Sequence, residues 1–500
     1  MIRLKTALKP SFALQGIFML FIIHCSLLIT NCIAQSITWQ RTYGYEGVIN
    51  KMQQTIDGGY IATGVIGTVN SWKMILIKLN AYGNTSWVKI VGVGSTTGNW
   101  VEQTSDKGYI IGGSIDSGMF ADKVYLAKMD SLGNIEWHKS YSNSDLDECY
   151  CVKQTPDGGY ILACRTTPSF ADMTWFIRTD SLGNLILQKV YGNGLNTIYI
   201  KEIALTFNGY IAAGGFNIGQ PADVYLMKLD LNGDTIWTKR KGGNLLDAAN
   251  SIDKVNGDGF IVGGISKSFN TNNKTEAYII KIDTNGQTLW QRTYSNIGVE
   301  ECYSVRYKPN FGYAFCGFSD SLGNFNQYKA KLRLIDFNGN QLFENSFAPG
   351  QDDHSFNSLE LTTDGGFILG GYANLVPGDI KPFAVKTDSL GRANPIGIND
   401  PVELLPYKYF LYPNFPNPFN STTIIRYELK ENAYVELYIY DILGKLISLI
   451  DKGNKFSGLY NIRLDATSYN MASGIYFLSL NVMDKNKNQV TFTKKIIYLK

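Results

Sequence analysis

At 500 residues the chain is long enough for about two to four domains. With 18% charged residues and a formal net charge of +3 it is close to electrically balanced, which argues against a surface built for nucleic acid or an anionic membrane. Fifty glycines, 31 tyrosines and 26 phenylalanines describe a chain of strands and tight turns.

The first 34 residues stand apart. Arg3, Lys5 and Lys9 precede an apolar stretch from Ile17 to Ile29, and Cys32-Ile33-Ala34 sets small residues before Gln35. This is the pattern of an export signal peptide over 1–34, cleaved after Ala34. Lipid attachment at Cys32 is the alternative, for which Asn31 is a poor neighbour. No later segment approaches the ~20 apolar residues of a spanning helix, so the mature chain is expected to be exported and soluble, with no transmembrane segment. Loss of Cys25 and Cys32 leaves five cysteines, too few for a disulfide scaffold. Pairing Thr155 with Tyr160 across the intervening turn sets Cys151 opposite Cys164, giving either a cross-strand disulfide or two buried thiols. Cys302 and Cys316 do not fall opposite each other in that register.

A turn of the Asp-Gly-Gly-Tyr type then recurs, with its aromatic at Tyr60, Tyr109, Tyr160, Tyr210, Phe260, Tyr313 and Phe367, at intervals of 49 to 54 residues. Spacing of that size is what four-stranded β-propeller blades produce. In the second repeat, strands at 100–104 and 109–113 flank a turn. An apolar strand at 124–129 follows, of the kind covered on both faces, and the turn 130–134 leads into a last strand at 135–139. The last-strand aromatic recurs as Trp39, Trp87, Trp137, Trp237, Trp290 and Phe343, with Leu187 in the remaining slot. The chain begins with a lone last strand at 37–41, and its seventh repeat ends at Gly391 without one. The N-terminal strand is therefore expected to complete the seventh blade and remove an open edge. The expected fold is all-β: a seven-bladed β-propeller over 35–391 closed by the N-terminal strand, a linker over 392–408, and a small C-terminal β-sandwich over 409–500. Lys78, Lys128, Arg178, Lys228, Lys281 and Lys386 each precede a turn by two residues and are expected to pair with nearby carboxylates or reach the rim.

The turn Asp230-Leu231-Asn232-Gly233 leading to Trp237 resembles the tryptophan-docking motif of quinoprotein propellers and, more faintly, the Asp-box of sialidases; the repeat length is similar to that of kelch repeats. The spacing departs from the first two by a residue or so, and quinoproteins typically have eight blades. The motif is read here as structural, a turn plus an inter-blade aromatic.

Residues 409–500 carry Pro413-Asn414 and Asn417-Pro418-Phe419, then Tyr440-Asp441 with Gly444-Lys445, then Ala472-Ser473-Gly474-Ile475-Tyr476-Phe477, and a basic end with Lys494, Lys495 and Lys500. In this order the motifs closely resemble the type A sorting domain of type IX secretion cargo. The motif positions are Pro413, Asn414, Asn417, Pro418, Phe419, Asp441, Gly444, Gly474 and Tyr476. The resemblance implies a β-sandwich read by an outer-membrane translocon, and a protein that is secreted or held at the cell surface. From its residues alone, the stretch reads as about seven short strands with Gly/Asn turns; an accessory carbohydrate-binding sandwich is the alternative.

The mature chain holds two histidines, His138 and His354, and no zinc spacing, phosphate cradle or nucleophile elbow. Carboxylates are better placed. Connections from last to first strand and from second to third are long and divergent: 142–148, 297–301, 349–354, 113–123, 265–277, 317–327 and 371–381. The opposite turns are short and stereotyped, so the long loops form the expected binding face. Candidate ligand-binding residues there are Asp145, Asp147, Glu148, Glu300, Glu301, Asp352, Asp353 and His354, with Tyr43, Tyr141, Tyr294, Phe170 and Phe269 near enough to stack on sugars. No cofactor is expected; calcium at the acidic loops is left open. The expected function is a non-catalytic module binding polysaccharide or a surface protein. The alternative is a glycan-active hydrolase or lyase working through loop carboxylates, with a redox quinoprotein a distant third.

Overall fold

The structure, a computed structural model, describes residues 37–394 and 409–500 apart from 68–71, 93, 117, 119–121, 169–170, 194, 218–221, 258, 271–272, 296–297, 321–327, 350–352, 377, 413, 415, 430–431, 456–457, 470, 485–486 and 488. The segment read as a signal peptide lies outside the described residues. Among those described, every element is a strand except one short 3-10 turn at Ala466–Tyr469.

Six four-stranded antiparallel sheets follow one another in chain order: sheet one over 47–91, two over 96–141, three over 147–191, four over 197–241, five over 247–294 and six over 300–347. The seventh sheet takes His354–Leu361, Phe367–Asn374 and Ile380–Thr387 from the end of the repeats and Trp39–Thr42 from their beginning. That N-terminal strand pairs antiparallel with the third, Trp39 facing Lys386 and Thr42 facing Phe383. First strands of successive sheets pack on one another, and the first strand of sheet one packs on that of sheet seven. The last strands lie outermost, with alternate residues exposed.

Two recurrent devices join and brace the sheets. The last-strand tryptophan lies beneath the turn glycine of the next sheet, where only a residue without Cβ fits: a Cβ on Gly83, Gly133, Gly183 or Gly286 would come within 2.6–2.7 Å of Trp39, Trp87, Trp137 or Trp237. These glycines also hold φ of +74° to +77°, a conformation costly for other residues. The docked ring then meets the next sheet's tyrosine edge-on, at 5.6 Å for Trp39–Tyr60 and 5.9 Å for Trp137–Tyr160. The second device is an ion pair within a sheet. Lys78, Lys128 and Lys386 reach Asp57, Asp106 and Asp364 of the Asp-Gly turns at 2.8–2.9 Å, and Arg178 reaches Asp157. The expected pairing of these cations with neighbouring carboxylates is met at those four positions.

Two slots do not follow the pattern: a Cβ on Gly391 would meet Leu332 and Asn345 rather than Phe343, and Leu187 leaves its junction loose. A Cβ on Gly233 would find its nearest atom 3.4 Å away, and a crevice of about 10 Å³ remains among Leu187, Tyr210, Leu229 and Leu231. Leu187→Trp is expected to fill it and stabilise the protein by about 0.5–2 kcal/mol, read as a higher unfolding temperature.

Each first strand carries one bulge at the same level, at Asn50, Asn99, Tyr150, Lys201, Asn250, Tyr303 and Asn357. The bulge corrects the cysteine register. Gln154 pairs with Tyr160, Cys151 with Ala163, and Cys149 with Cys164. Cys151 and Cys164 are thus not opposite each other, and all five described cysteines are buried free thiols.

The C-terminal unit packs a three-stranded sheet (Phe410–Leu411, Thr422–Leu429, Gly458–Asp465) against a four-stranded one (Ala433–Asp441, Leu446–Lys455, Gly474–Met483, Gln489–Tyr498), around a core that includes Leu411, Ile425, Leu437, Leu478 and Ile496.

Candidate functional site

Two of the candidate loop carboxylates, Asp147 and Asp353, are engaged by backbone amides. Asp147 is buried and accepts hydrogen bonds from the amides of Asn143 and Ser144 and from Ser144 Oγ at 2.7–2.9 Å. Asp247, at the same place two sheets later, does the same for Gly243 and Ser268, so this position is a repeated loop staple. Asp353 accepts the Tyr328 amide at 3.0 Å. His354 is buried, its Nδ1 accepting the Asn374 amide at 3.3 Å. Asp145 is exposed, and Asp352 lies outside the described residues. His138 is exposed and stacks on Tyr125 at 5.6 Å.

Glu300 is buried against Arg333 at 3.0 Å, which also holds Glu344 at 2.6 Å. Burial pushes its carboxyl up to about 7, with Arg333 and Lys331 pulling the other way. Burial raises the Tyr328 and Tyr372 phenols, and the charges of Asp353 and Glu301 add to it. The aromatic expectation needs correcting. Tyr43, Tyr141 and Tyr294 donate their hydroxyls to the turn carbonyls of Gly83, Gly183 and Gly339 in the next sheet, at 2.6–3.0 Å. They are inter-sheet ties because the phenol reaches the same glycine that receives the docked ring. Phe269 is exposed beside Tyr278; Phe170 lies outside the described residues.

Where the seven first strands converge, the structure holds a network that the sequence reading missed. Arg306 of sheet six bonds Glu202 of sheet four at 2.9 Å and Glu360 of sheet seven at 2.8 Å. Lys51 of sheet one bonds the same Glu360 at 2.6 Å and lies 4.1 Å from the centre of the Trp100 ring of sheet two. Lys153 of sheet three lies 4.7 Å from that ring and pairs with Glu102 at 3.2 Å. Ser251 of sheet five donates to Glu202 at 2.6 Å. Six sheets therefore contribute charges to one network, and sheet five joins it through the Ser251 hydroxyl. Burial alone would raise the Glu360 and Glu202 carboxyls, but Arg306 and the nearby lysines together hold both below the usual carboxylate range.

Above this network, toward the long loops, the bulge residues form a second level. Asn50 donates to Gly98 O, Asn99 to Cys149 O, Asn250 to Cys302 O and Asn357 to Ile49 O, at 2.9–3.0 Å. Each stitch joins one sheet to the next, and the last joins sheet seven to sheet one. Tyr150, Lys201 and Tyr303 depart from the pattern. Beside Tyr150 and Lys201 lies Glu148, which accepts from Asn99 Nδ2 at 2.8 Å.

In the C-terminal unit the motif residues are structural ties. Asn414 Nδ2 donates to Thr423 at 2.9 Å, and Asn417 Oδ1 accepts the Ile497 amide at 2.9 Å. Phe419 is buried against Tyr498, next to the Asn417-Pro418 cis bond. Asp441 accepts the amides of Leu443 and Lys445 at 2.9 Å, turning the chain through Gly444 at φ +81°. Gly474 pairs with Tyr498, and Tyr476 donates to Ala472 O at 2.8 Å. Pro413 lies outside the described residues.

Among the described residues no group of three or more His, Cys, Asp or Glu is arranged to hold a metal ion, and no helix is long and apolar enough to cross a membrane. Residues 414–498 match the family model of the secretion system C-terminal sorting domain. No curated protein matches the chain. Among solved structures, the chain is similar to Sqt1 from Chaetomium thermophilum, with 12% identity over 67% of this chain and 81% of that one and a TM-score of 0.42. It is also similar to the extracellular domain of a putative one component system, BT4673, from B. thetaiotaomicron, with 10% identity over 91% of this chain and 56% of that one and a TM-score of 0.40.

Proposed function

Starting from a chain that is type IX secretion cargo, bound for the cell surface or the medium, we propose that it is a non-catalytic binding module. In this reading residues 1–34 are a signal peptide, 35–391 close into a seven-bladed β-propeller, 392–408 are a linker, and 409–500 are handled by the translocon. Its ligand is a polysaccharide or surface protein engaged by the long-loop face. Closure of the propeller is supported by the N-terminal strand at the edge of sheet seven and by the Asn357 stitch to sheet one.

The observation that carries the binding reading is the buried Lys51–Glu360–Arg306–Glu202 network. It ties the first strands together beneath the bulge residues and so gives the loop face a braced base. The hydrolase alternative asks for two carboxylates free to act as acid and base, whereas Asp147, Asp353 and Glu300 are tied into loops and ion pairs. The test is to incubate the secreted protein with a panel of insoluble extracellular polysaccharides, measuring protein retained and reducing ends released. Retention without new reducing ends is expected; released oligosaccharides would make the protein an enzyme.

A further inference from the structure

Four of the seven bulge positions share one structural solution, an asparagine that stitches its sheet to the next. Tyr150 and Lys201 abandon it in adjacent sheets, and they do so at the loop end of the first strands. The Lys201 ammonium lies 3.5 Å from the centre of the Tyr150 ring and 5.8 Å from that of Tyr199. Among the described residues no carboxylate lies within ion-pair distance of it, and those ring contacts are its interactions. Two acids face it from nearby, and both are held elsewhere. Glu148 accepts from Asn99 at 2.8 Å, while Asp172 accepts from Thr167 Oγ1 at 3.0 Å and lies 3.6 Å from Arg165. Burial lowers the Lys201 ammonium from its ordinary value, with Glu148 and Asp172 only partly offsetting that and Arg165 adding to it.

A half-buried ammonium with three donors, two ring faces beside it and no ion-pair partner among the described residues is a ready point of attachment for an anionic group. The other groups say what the rest of that partner looks like. The Tyr150 and Tyr199 rings offer apolar surface for the C–H face of a pyranose, and Glu148 can accept from hydroxyl groups. Resting on the reading of the protein as a polysaccharide-binding module, we propose that Lys201, Tyr150, Tyr199 and Glu148 form a subsite for a carboxylate-bearing sugar, a uronic acid residue of an acidic polysaccharide. The sugar carboxylate pairs with Lys201, and its ring lies along the tyrosines.

The test is titration calorimetry of the secreted protein with tetragalacturonate and with the same oligomer fully methyl-esterified, which keeps its shape and removes its charge. The acid form is expected to bind roughly tenfold to a hundredfold tighter than the ester, the range for a hydrogen bond to a charged group. Lys201→Asn restores the residue used in four other sheets, so it should keep or raise the unfolding temperature while abolishing that preference; Lys201→Arg should retain it. Equal affinity for acid and ester, or an acid preference unchanged in Lys201→Asn, would overturn the subsite. Retention of neutral polysaccharides without binding of tetragalacturonate would overturn it too, while leaving the binding module standing. If no polysaccharide is retained, the subsite falls together with the polysaccharide reading.

Discussion

Replacing Arg306 by alanine is expected to destabilise the protein by about 3–5 kcal/mol, the cost of breaking a buried ion pair from one side. The guanidinium stands between Glu202 and Glu360, at 2.9 and 2.8 Å, and donates to Ser251 Oγ at 3.1 Å. Without it, two carboxylates remain close together in a site with little water, with Lys51 bonded to Glu360 and Lys153 acting from farther off. Adding Glu202→Gln and Glu360→Gln to the alanine variant should recover much of the loss, because the deficit lies in the stranded charges. The loss should also depend on pH in a fixed sense. The folded Glu360 and Glu202 carboxyls lie below their ordinary range, so their stabilising contribution is full above about pH 5, beyond the unfolded value of ~4.3. It fades as pH falls through the folded values, and the two proteins should converge in acid. Urea unfolding across pH 3–8 measures this. A loss under about 1 kcal/mol at neutral pH would mean that the network contributes little.

Trp39→Ala is the second large effect, about 3–5 kcal/mol for removing a buried tryptophan. Trp39 lies in the N-terminal strand at the edge of sheet seven, yet its ring is seated in sheet one. It touches Gly83, meets Tyr60 edge-on at 5.6 Å, and donates from Nε1 to Ala81 O at 3.0 Å. The substitution therefore loosens the junction between the first and last sheets and exposes the edge of the third strand at Phe383–Lys386. Trp137→Ala, an internal junction, should cost a similar amount. The distinguishing readout is hydrogen exchange: Trp39→Ala should speed exchange at 380–387, and Trp137→Ala should leave that strand protected. No change at 380–387 would show that the N-terminal strand does not hold the junction.

The legible part of this fold was whatever repeats. Seven turn aromatics and seven last-strand slots, one of them at Trp39, were enough to assign each sheet and to find the strand that crosses from one end of the chain to the other. The Leu187 slot was visible as an exception and is a loose junction, whereas the Phe343 slot looked regular and does not dock under Gly391. The cysteine register was misread because one extra residue, Tyr150, bulges out of the strand and moves Cys149 opposite Cys164; nothing in a single repeat marks that bulge. Aligning all seven would have, since Asn50, Asn99, Asn250 and Asn357 recur there. The buried network escaped for the opposite reason. Lys51 and Glu202 share one position, and Lys153, Arg306 and Glu360 another, but the charge changes sign from sheet to sheet, so no consensus announces it. Only convergence of the inner strands brings the opposite signs together. The loop carboxylates were legible as charges but not by what they bond: Asp147 and Asp353 accept backbone amides, partners that a sequence does not display.

Binding through the long-loop face is tested most directly by hydrogen exchange on the secreted protein with and without a polysaccharide that retains it. Protection is expected at the loop ends of the first strands, around 142–151 and 197–202, with the opposite Asp-Gly turns at 55–59, 104–108 and 155–159 unchanged. Protection confined to those turns, or to the exposed last strands, would place the ligand on another surface and contradict the account.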